Sequence, residues 1–339
     1  MDPLLRIAKL DPALNENEGT SPGRNRWRHA ILAAKLALGV AIIAWLVETG
    51  QFDVNSYREL LTKHSLWLVL AVLAMQFLSF SVVLSRWWLL IHMQGINLTL
   101  PQVLVTGYQG LFANLVLPGS LGLDGIRLYH VRKHYRDRLT EGLASIVIDR
   151  VLGLVGMLVL TSIAGAIYWS ITKAAWAGVM VAVTFGLVVT SLAMIAAVCG
   201  LLPWIGLRWL RRIRVLTRLL DAFALYKDHA GALILSLAIS VLGHLFTCIA
   251  WGFGIMALGY AVPVIGVLAV TPLLLVLRSI PTTPLGLGVT DSAAEILYQL
   301  IGTPVGAELQ MFIRVISVVI FLVCGVAFLG GQRPKRVAQ

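Results

Sequence analysis

Charged side chains that interrupt long apolar runs are the residues of this sequence best suited to chemistry. Asp149 and Arg150 stand side by side in one such run, and Arg314 stands in a later one. A charge at bilayer depth costs about 2.5–3.5 kcal/mol on insertion scales, so each of these charges needs a partner or a ligand. The arginines therefore predict either ion pairs with Asp124, Asp149 or Asp291, or binding of a lipid phosphate, which a guanidinium group matches in a bidentate way.

The two arginines belong to a pattern that occurs twice along the chain. In each copy a break with Pro and Gly is followed by an aspartate and, further on, by the arginine. The offsets between the copies are 166, 166, 167 and 164 residues for Pro118 and Pro284, Gly122 and Gly288, Asp124 and Asp291, and Arg150 and Arg314. Paired, interrupted apolar segments of this kind are typical of transporters built from inverted repeats.

The chain around these residues is too apolar for a soluble protein. Hydrophobic residues make up 58% and charged residues 13% of its 339 positions, whereas soluble domains have about 25% charged residues. The apolar runs are continuous and do not alternate, which excludes a β-barrel and predicts an all-α polytopic membrane protein. About six runs are long enough to be full transmembrane helices, at about 30–47, 66–90, 141–168, 175–202, 230–258 and 307–330.

The distribution of Lys and Arg predicts the orientation of these helices. Basic residues concentrate in the N-terminal tail, after the second run, in the loop near 203–229 and in the C-terminal tail. By the positive-inside rule both termini are then cytoplasmic. The interrupted stretch at 98–126 must re-enter from the cytoplasm and turn back, or lie at the surface. The stretch at 262–301 forms either two crossings or a hairpin that enters from outside.

These assignments divide the chain into one membrane domain between two cytoplasmic tails, the first of them disordered. The bounds are 1–28 and 332–339 for the tails, 29–331 for the domain, about 66–168 for repeat A, about 230–330 for repeat B and about 204–228 for a basic amphipathic helix. One odd crossing between the repeats inverts the second, and each repeat contains one broken re-entrant hairpin. The amphipathic helix lies on the inner leaflet or packs on the bundle.

The candidate site residues fall into four groups. Binding of lipid phosphate is assigned to Arg150, Arg314, Arg127 and Arg278; head-group or ion coupling to Asp124, Asp149, Asp291 and Glu295; the hairpin turns to Pro118, Gly119, Gly122, Pro284, Gly286 and Gly288; and cavity lining to Tyr108, Gln109 and Asn114. For Asp124 and Asp291 the competing interpretation is helix N-capping. Arg86 is counted with the cytoplasmic basic residues, and Trp87 beside it as an interfacial aromatic residue.

Other classes of function find no support in the sequence. It contains no nucleotide-binding, metal-ligand or nucleophile motif, so we expect no cofactor, no metal site and no ATP-driven step. The three cysteines stand far apart in apolar runs and predict neither a disulfide nor a metal site. The net charge of +11 is assigned to the cytoplasmic loops and not to a nucleic-acid partner.

Several stretches of the chain resemble one family. Arg86-Trp87, then Phe112–Arg127 (FANLVLPGSLGLDGIR) and Ala144–Arg150 (ASIVIDR), are similar to the lysylphosphatidylglycerol synthase transmembrane-region family, also called flippase-like domain proteins. Pro284–Asp291 (PLGLGVTD), followed by Arg314, resembles its second signature. The resemblance covers about 30–330. The family usually has Gly where this chain has Ser120 and Leu123, and Glu where it has Asp291.

The resemblance implies a function in lipid transport or lipid binding. In the best understood members this domain is fused to a cytoplasmic aminoacyl transferase and moves aminoacylated phosphatidylglycerol to the outer leaflet. Only eight residues follow Gly331, so we expect a stand-alone domain without aminoacyl transfer. The expected function is a flippase that moves a phospholipid or other phosphate-bearing lipid between leaflets, without ATP, in the bacterial inner membrane.

Two alternatives stay open at this point. One is a membrane-embedded enzyme that acts on a lipid phosphate, and the other is a non-transporting partner that presents lipid to a synthase. The expected partners are membrane lipids, either anionic or zwitterionic phospholipids, and no nucleic acid. A homo-oligomer and a complex with a lipid-synthesis enzyme are further partner hypotheses.

Overall fold

The structure, a computed structural model, describes residues 63–115, 117, 120–199, 214–279 and 289–330, and every regular element in these residues is helical. The α-helices are α1 (Lys63–Met93), α2 (Leu100–Ala113), α3 (Leu121–His134), α4 (Leu139–Thr172), α5 (Ala175–Val198), α6 (Arg214–Ala224), α7 (Ala230–Ala257), α8 (Val264–Ser279), α9 (Val289–Leu300) and α10 (Gly306–Gly330). Short 3-10 turns at Arg136–Arg138 and Leu225–His229 precede α4 and α7.

Several of these helices are long and apolar enough to cross a membrane. The described residues contain five such spans, Leu66–Met93, Arg136–Thr172, Ala175–Val198, Thr217–Ala257 and Gly306–Cys324. They confirm the prediction of an all-α polytopic membrane protein, because a helix satisfies all its backbone hydrogen bonds internally where water is absent. The predicted run at 30–47 and the predicted tails at 1–28 and 332–339 lie outside the described residues.

α1 and α7 pack against each other in opposite directions. The ring centres of Trp67 and Phe253 lie 6.2 Å apart. The hydroxyl oxygens of Ser79 and Thr247 are 2.7 Å apart, and Arg86 Nη1 donates to Ser240 Oγ at 2.8 Å. As the position advances along α1, the partner recedes along α7. The two helices are therefore antiparallel.

Two pairs of shorter helices form hairpins. α2, α3, α8 and α9 contain 14, 14, 16 and 12 residues, which corresponds to lengths of about 18–24 Å, short of the roughly 30 Å of a hydrocarbon core. Tyr135 Oη, after α3, donates to the carbonyl of Asn97, before α2, at 3.2 Å. Gly266 in α8 lies against Ile301 after α9, where an added Cβ would approach Ile301 Cβ to 2.9 Å. The second limb of each pair thus ends beside the start of the first limb, and the described limbs of 262–301, α8 and α9, are shorter than full crossings.

The backbones of α2 and α3 approach each other closely where α2 ends and α3 begins. Asn114 Oδ1 accepts a hydrogen bond from the N–H of Leu123 at 3.0 Å. A Cβ on Gly122 would lie 2.6 Å from the backbone nitrogen of Asn114, and one on Gly110 would lie 2.6 Å from the Cα of Leu123. Glycine at both positions therefore lets the two limbs touch.

The first half of the described chain contains α1 to α4, and the second half contains α7 to α10. Each hairpin packs on helices of both halves. α2 packs on α10 and α8 packs on α4, while the second limb of each hairpin packs on the long helix that follows it, α3 on α4 and α9 on α10. α1 and α7 each contact both long helices, α4 and α10. Every one of these contacts in one half has a counterpart in the other half.

The described part of the amphipathic helix packs on the bundle. Leu220 and Phe223 join an apolar core with residues of α1 and α4. Gln94 Nε2 donates to the carbonyl of Ala222 at 2.9 Å, and Tyr226 Oη donates to the carbonyl of Leu90 at 3.1 Å. Of the two predicted placements, the structure favours packing on the bundle for this part, whereas 204–213 lies outside the described residues.

Candidate functional site

Asp149, in the first half of α4, is buried between two arginines. Its Oδ1 accepts a hydrogen bond from Arg86 Nε at 2.7 Å, and its Oδ2 accepts one from Arg127 Nη1 at 2.8 Å. The three side chains are at most 3% exposed. Arg86 also donates to Ser240 Oγ at 2.8 Å, which connects α7 to the cluster. Two charge-assisted hydrogen bonds stabilise the carboxylate in an environment where it would otherwise be costly.

Arg127 has more hydrogen-bond donors than the described residues satisfy. Its Cζ lies 4.6 Å from the centre of the Trp87 ring, within the range of a cation–π interaction. Trp87 Nε1 in turn donates to Ser145 Oγ at 3.1 Å, which fixes the ring. Nε and Nη2 of Arg127 have no hydrogen-bond partner among the described residues. Because an unpaired buried donor costs about 1–3 kcal/mol, an acceptor at this place would be favourable.

Arg150 and Asp124 form a second, more accessible ion pair between α4 and α3. Arg150 Nη2 donates to Asp124 Oδ1 at 2.6 Å, and Arg150 Nε lies 3.1 Å from both carboxylate oxygens. The two side chains are 39% and 27% exposed. The capping interpretation is wrong for Asp124, because the N-cap of α3 is Ser120. The pair connects the second limb of the hairpin to the next long helix.

Arg314 and Asp291 form the equivalent pair between α10 and α9. Arg314 Nη2 donates to Asp291 Oδ1 at 2.6 Å, with Arg314 fully buried and Asp291 21% exposed. Arg278, in the last turn of α8, interacts electrostatically with both residues. Nε of Arg314 has no hydrogen-bond partner among the described residues. The sequence interpretation as ion pairs is therefore confirmed for Arg150 and Arg314.

Counted over the described residues, each of the two clusters carries one more positive than negative charge. The first cluster contains Arg86, Arg127 and Arg150 against Asp124 and Asp149, and the second contains Arg278 and Arg314 against Asp291. The segments 116–119 and 280–288, which include the hairpin turns, have no charged residue. The turn segments therefore do not change the net charge of either cluster. Surplus guanidinium charge of this kind is suited to phosphate oxygens.

The structure does not bring every predicted residue to these clusters. Glu295 accepts hydrogen bonds from Gln299 Nε2 at 2.8 Å and from the N–H of Ala307 at 3.1 Å, so its carboxylate lies at the start of α10. Tyr108 is buried between α1 and α2, and its Oη forms a hydrogen bond with Ser81 Oγ at 2.8 Å. Asn114 connects the two limbs of its hairpin, Gln109 is half-buried in α2, and Gly122 lies in the first turn of α3. The turn residues Pro118, Gly119, Pro284, Gly286 and Gly288 lie outside the described residues.

The sequence interpretations of Arg86 and Trp87 are wrong. Arg86 is 2% exposed inside α1, not in a cytoplasmic loop, and Trp87 is fully buried, not at the membrane interface. α1 continues to Met93, about two turns beyond Arg86. The positive-inside rule counts basic residues near the ends of apolar runs and does not distinguish a loop residue from a buried one. The signal that could have found Arg86 is the need of Asp149 for a counter-charge.

The helices and the charged clusters define an all-helical, multi-pass membrane protein with arginine-rich sites inside its bundle. The chain belongs to the family of the lysylphosphatidylglycerol synthase TM region, whose model matches residues 32–327. Family membership and the apolar helices together indicate a membrane protein of lipid metabolism. Comparison with the curated proteins and with the solved structures gave no significant match.

Proposed function

We propose that this protein is a flippase of the bacterial inner membrane that moves a phosphate-bearing lipid between the leaflets without ATP. The observation that carries the proposal is the matched set of ion pairs, Arg150 with Asp124 and Arg314 with Asp291. Each pair joins the second limb of a broken hairpin to the next long helix. An equivalent ion pair thus links each hairpin to its long helix. Surplus guanidinium groups, which suit a lipid phosphate, lie beside each pair.

An inverted repeat at about 66–168 and 230–330 is part of the proposal. It is supported by the antiparallel packing of α1 on α7 and by the exchange of hairpins, α2 onto α10 and α8 onto α4. With cytoplasmic termini, α1 runs inward and α7 runs outward. The α2–α3 hairpin then opens to the cytoplasm and the α8–α9 hairpin opens to the outside. Openings toward opposite faces are suited to alternating access, in which a site is exposed to one face and then to the other.

The proposed transport step opens one ion pair at a time. When α3 moves away from α4, the guanidinium group of Arg150 shares its donors between Asp124 and a lipid phosphate. When α9 moves away from α10, Arg314 and Asp291 do the same on the other face. The phosphate is held in a bidentate way, the acyl chains stay in the bilayer, and Asp149 keeps its two arginines throughout.

Reconstitution of the purified full-length protein in liposomes with head-group-labelled phospholipid tests this proposal. We expect the label to become accessible to an outside quencher faster than in protein-free liposomes. Arg150→Gln and Arg314→Gln should each lower the rate about 10- to 100-fold, since each removes a charge-assisted contact. Arg132→Gln removes an exposed arginine from the last turn of α3 and should leave the rate unchanged.

Folded Arg150→Gln and Arg314→Gln variants that move lipid at the wild-type rate would overturn the proposal. Folding is verified by the unfolding temperature in detergent. Product formed from labelled lipid by the purified protein would indicate an enzyme instead. Stable co-purification with a lipid synthase, together with no lipid movement, would indicate a lipid-presenting partner. Self-association and a synthase complex stay predictions.

A further inference from the structure

Every carboxylate in the two charged clusters is already bound to arginine. Asp149 accepts hydrogen bonds from Arg86 and Arg127, and Asp124 accepts three from Arg150. On the other hairpin, Asp291 accepts one from Arg314 at 2.6 Å. An ammonium group that entered either cluster would therefore meet excess positive charge and no free carboxylate. Bringing an uncompensated charge into such a buried place is strongly unfavourable.

Arginine donors, in contrast, are in excess in both clusters. Arg127 and Arg314 have no exposed surface. Nε and Nη2 of Arg127 and Nε of Arg314 have no hydrogen-bond partner among the described residues. Buried polar groups normally find partners, and buried charges are normally compensated. Within the part of the chain that the structure describes, the same two places thus lack an acceptor for these donors and one balancing negative charge.

We propose that each repeat binds the phosphate oxyanion of a lipid whose head group carries no positively charged nitrogen. The binding groups are Arg127 with Arg150 in the first repeat, and Arg314 with Arg278 in the second. This inference rests on the proposed function and adds the charge class of the lipid and the number of binding places. A phosphodiester carries one negative charge, which neutralises the surplus of either cluster and accepts hydrogen bonds from the unpaired arginine donors.

The inference narrows the predicted lipid class. The sequence predicts an anionic or a zwitterionic phospholipid, with aspartates as candidate contacts for a cationic head group. In the structure the aspartates are bound to arginine, so the charge balance favours the anionic class. A zwitterionic lipid brings its own positive charge and leaves the surplus of the cluster uncompensated.

Native mass spectrometry of the detergent-solubilised full-length protein tests both parts of the inference. The probes are short-chain phosphatidylglycerol, phosphatidylcholine and lysyl-phosphatidylglycerol, and inorganic phosphate separates a lipid site from a free-anion site. We expect two phosphatidylglycerol molecules per chain, each bound about tenfold more tightly than phosphatidylcholine. Arg127→Gln and Arg278→Gln should each remove one bound lipid. Arg132→Gln loses the same charge from an exposed position of α3 and should keep both.

Several outcomes would overturn the inference. Equal affinity for phosphatidylcholine or lysyl-phosphatidylglycerol contradicts the head-group class, and a single bound lipid contradicts one site per repeat. Inorganic phosphate that binds as tightly as phosphatidylglycerol and displaces it shows a free-anion site. If Arg127→Gln does not fold, Arg150→Gln, at a half-exposed position, tests the first site. Tight binding without lipid exchange in liposomes would refute the flippase proposal and leave the head-group inference standing.

Discussion

Asp149 is the residue that makes two buried guanidinium groups compatible with the bundle interior. We predict that Asp149→Asn lowers the free energy of unfolding by about 3–5 kcal/mol, because it leaves Arg86 and Arg127 buried without a counter-charge. Denaturant unfolding in detergent measures the change. Asp137→Asn alters an exposed aspartate in the 3-10 turn before α4 and should change stability by less than about 0.5 kcal/mol. Equal losses in the two variants would contradict the role of Asp149.

Trp87 contacts the guanidinium group of Arg127 with the face of its ring. Trp87→Leu removes the cation–π contact and the hydrogen bond to Ser145, whereas Ser145→Ala removes the hydrogen bond alone. We expect unfolding free energy to fall by about 1 kcal/mol in Ser145→Ala and by at least about 2 kcal/mol in Trp87→Leu. The same unfolding titration distinguishes them, and equal effects would show that the ring contact with Arg127 contributes nothing.

The sequence predicts which charged residues need partners, but it identifies those partners only in part. The repeated spacing places Asp124 and Asp291 among the candidate partners of Arg150 and Arg314, without assigning which aspartate pairs with which arginine. The partners of Asp149 do not follow from the spacing, since Arg86 is 63 residues away on another helix. Two adjacent residues on a helix point about 100° apart. Asp149 and Arg150 therefore face different neighbours, which local spacing cannot identify.

At the scale of the element, the α2–α3 hairpin depends on a glycine where its limbs touch. Gly122→Ala would place a Cβ 2.6 Å from the Asn114 backbone nitrogen, and we expect a loss of about 1–3 kcal/mol in unfolding free energy from overpacking. Gly125→Ala, one turn later on α3, meets no atom within 4 Å and should be neutral or stabilising by up to about 1 kcal/mol. Unfolding measurements in the same detergent compare the two.

If Gly122→Ala is as stable as Gly125→Ala, the limbs are not in contact as described. Liposome assays on the same pair add a functional measurement. The rate of lipid exchange should fall in Gly122→Ala and stay at the wild-type value in Gly125→Ala, because only the first substitution separates α2 from α3.

The hairpins themselves are elements that the sequence predicts well. The Gly and Pro breaks near Pro118 and Pro284, together with the positive-inside rule, predict that the stretch in the first repeat re-enters and turns back or lies at the surface. For 262–301 the same reasoning leaves two crossings open. The short limbs α8 and α9 favour the hairpin, while 280–288 lie outside the described residues. Apolar composition alone cannot distinguish the two arrangements, because two short limbs and two crossings have similar hydropathy.

At the scale of the whole molecule, the proposed inversion predicts that the two hairpins open to opposite faces of the membrane. Lys133→Cys, in the last turn of α3, should react with a membrane-impermeant maleimide only in inside-out vesicles. Tyr260→Cys, between α7 and α8, should react only in intact spheroplasts. Both positions are exposed, and the three native cysteines are buried and give a low background. Labelling of both positions from one face would exclude the inverted arrangement.

The packing between the halves is the part of the fold that no local pattern could predict. Each apolar run has the composition of a membrane helix on all its faces, so hydropathy does not say which face meets which neighbour. The exchange of α2 onto α10 and of α8 onto α4 joins segments that are far apart in the chain. The repeated spacing indicated that two similar units exist, and the structure supplies how their helices meet.

The two partners of each ion pair are synthesised in a fixed order, because translation proceeds from the N-terminus of the chain. Asp149 follows Arg86 and Arg127, Arg150 follows Asp124, and Arg314 follows Asp291. Each of the long helices α4 and α10, which carry charges in their first halves, therefore leaves the ribosome after its counter-charges. Membrane insertion of α4 should consequently depend on residues already synthesised. Arg86→Gln and Asp124→Asn should lower the fraction of chains in which a glycosylation tag placed after α4 is translocated, and Asp291→Asn should leave that fraction unchanged.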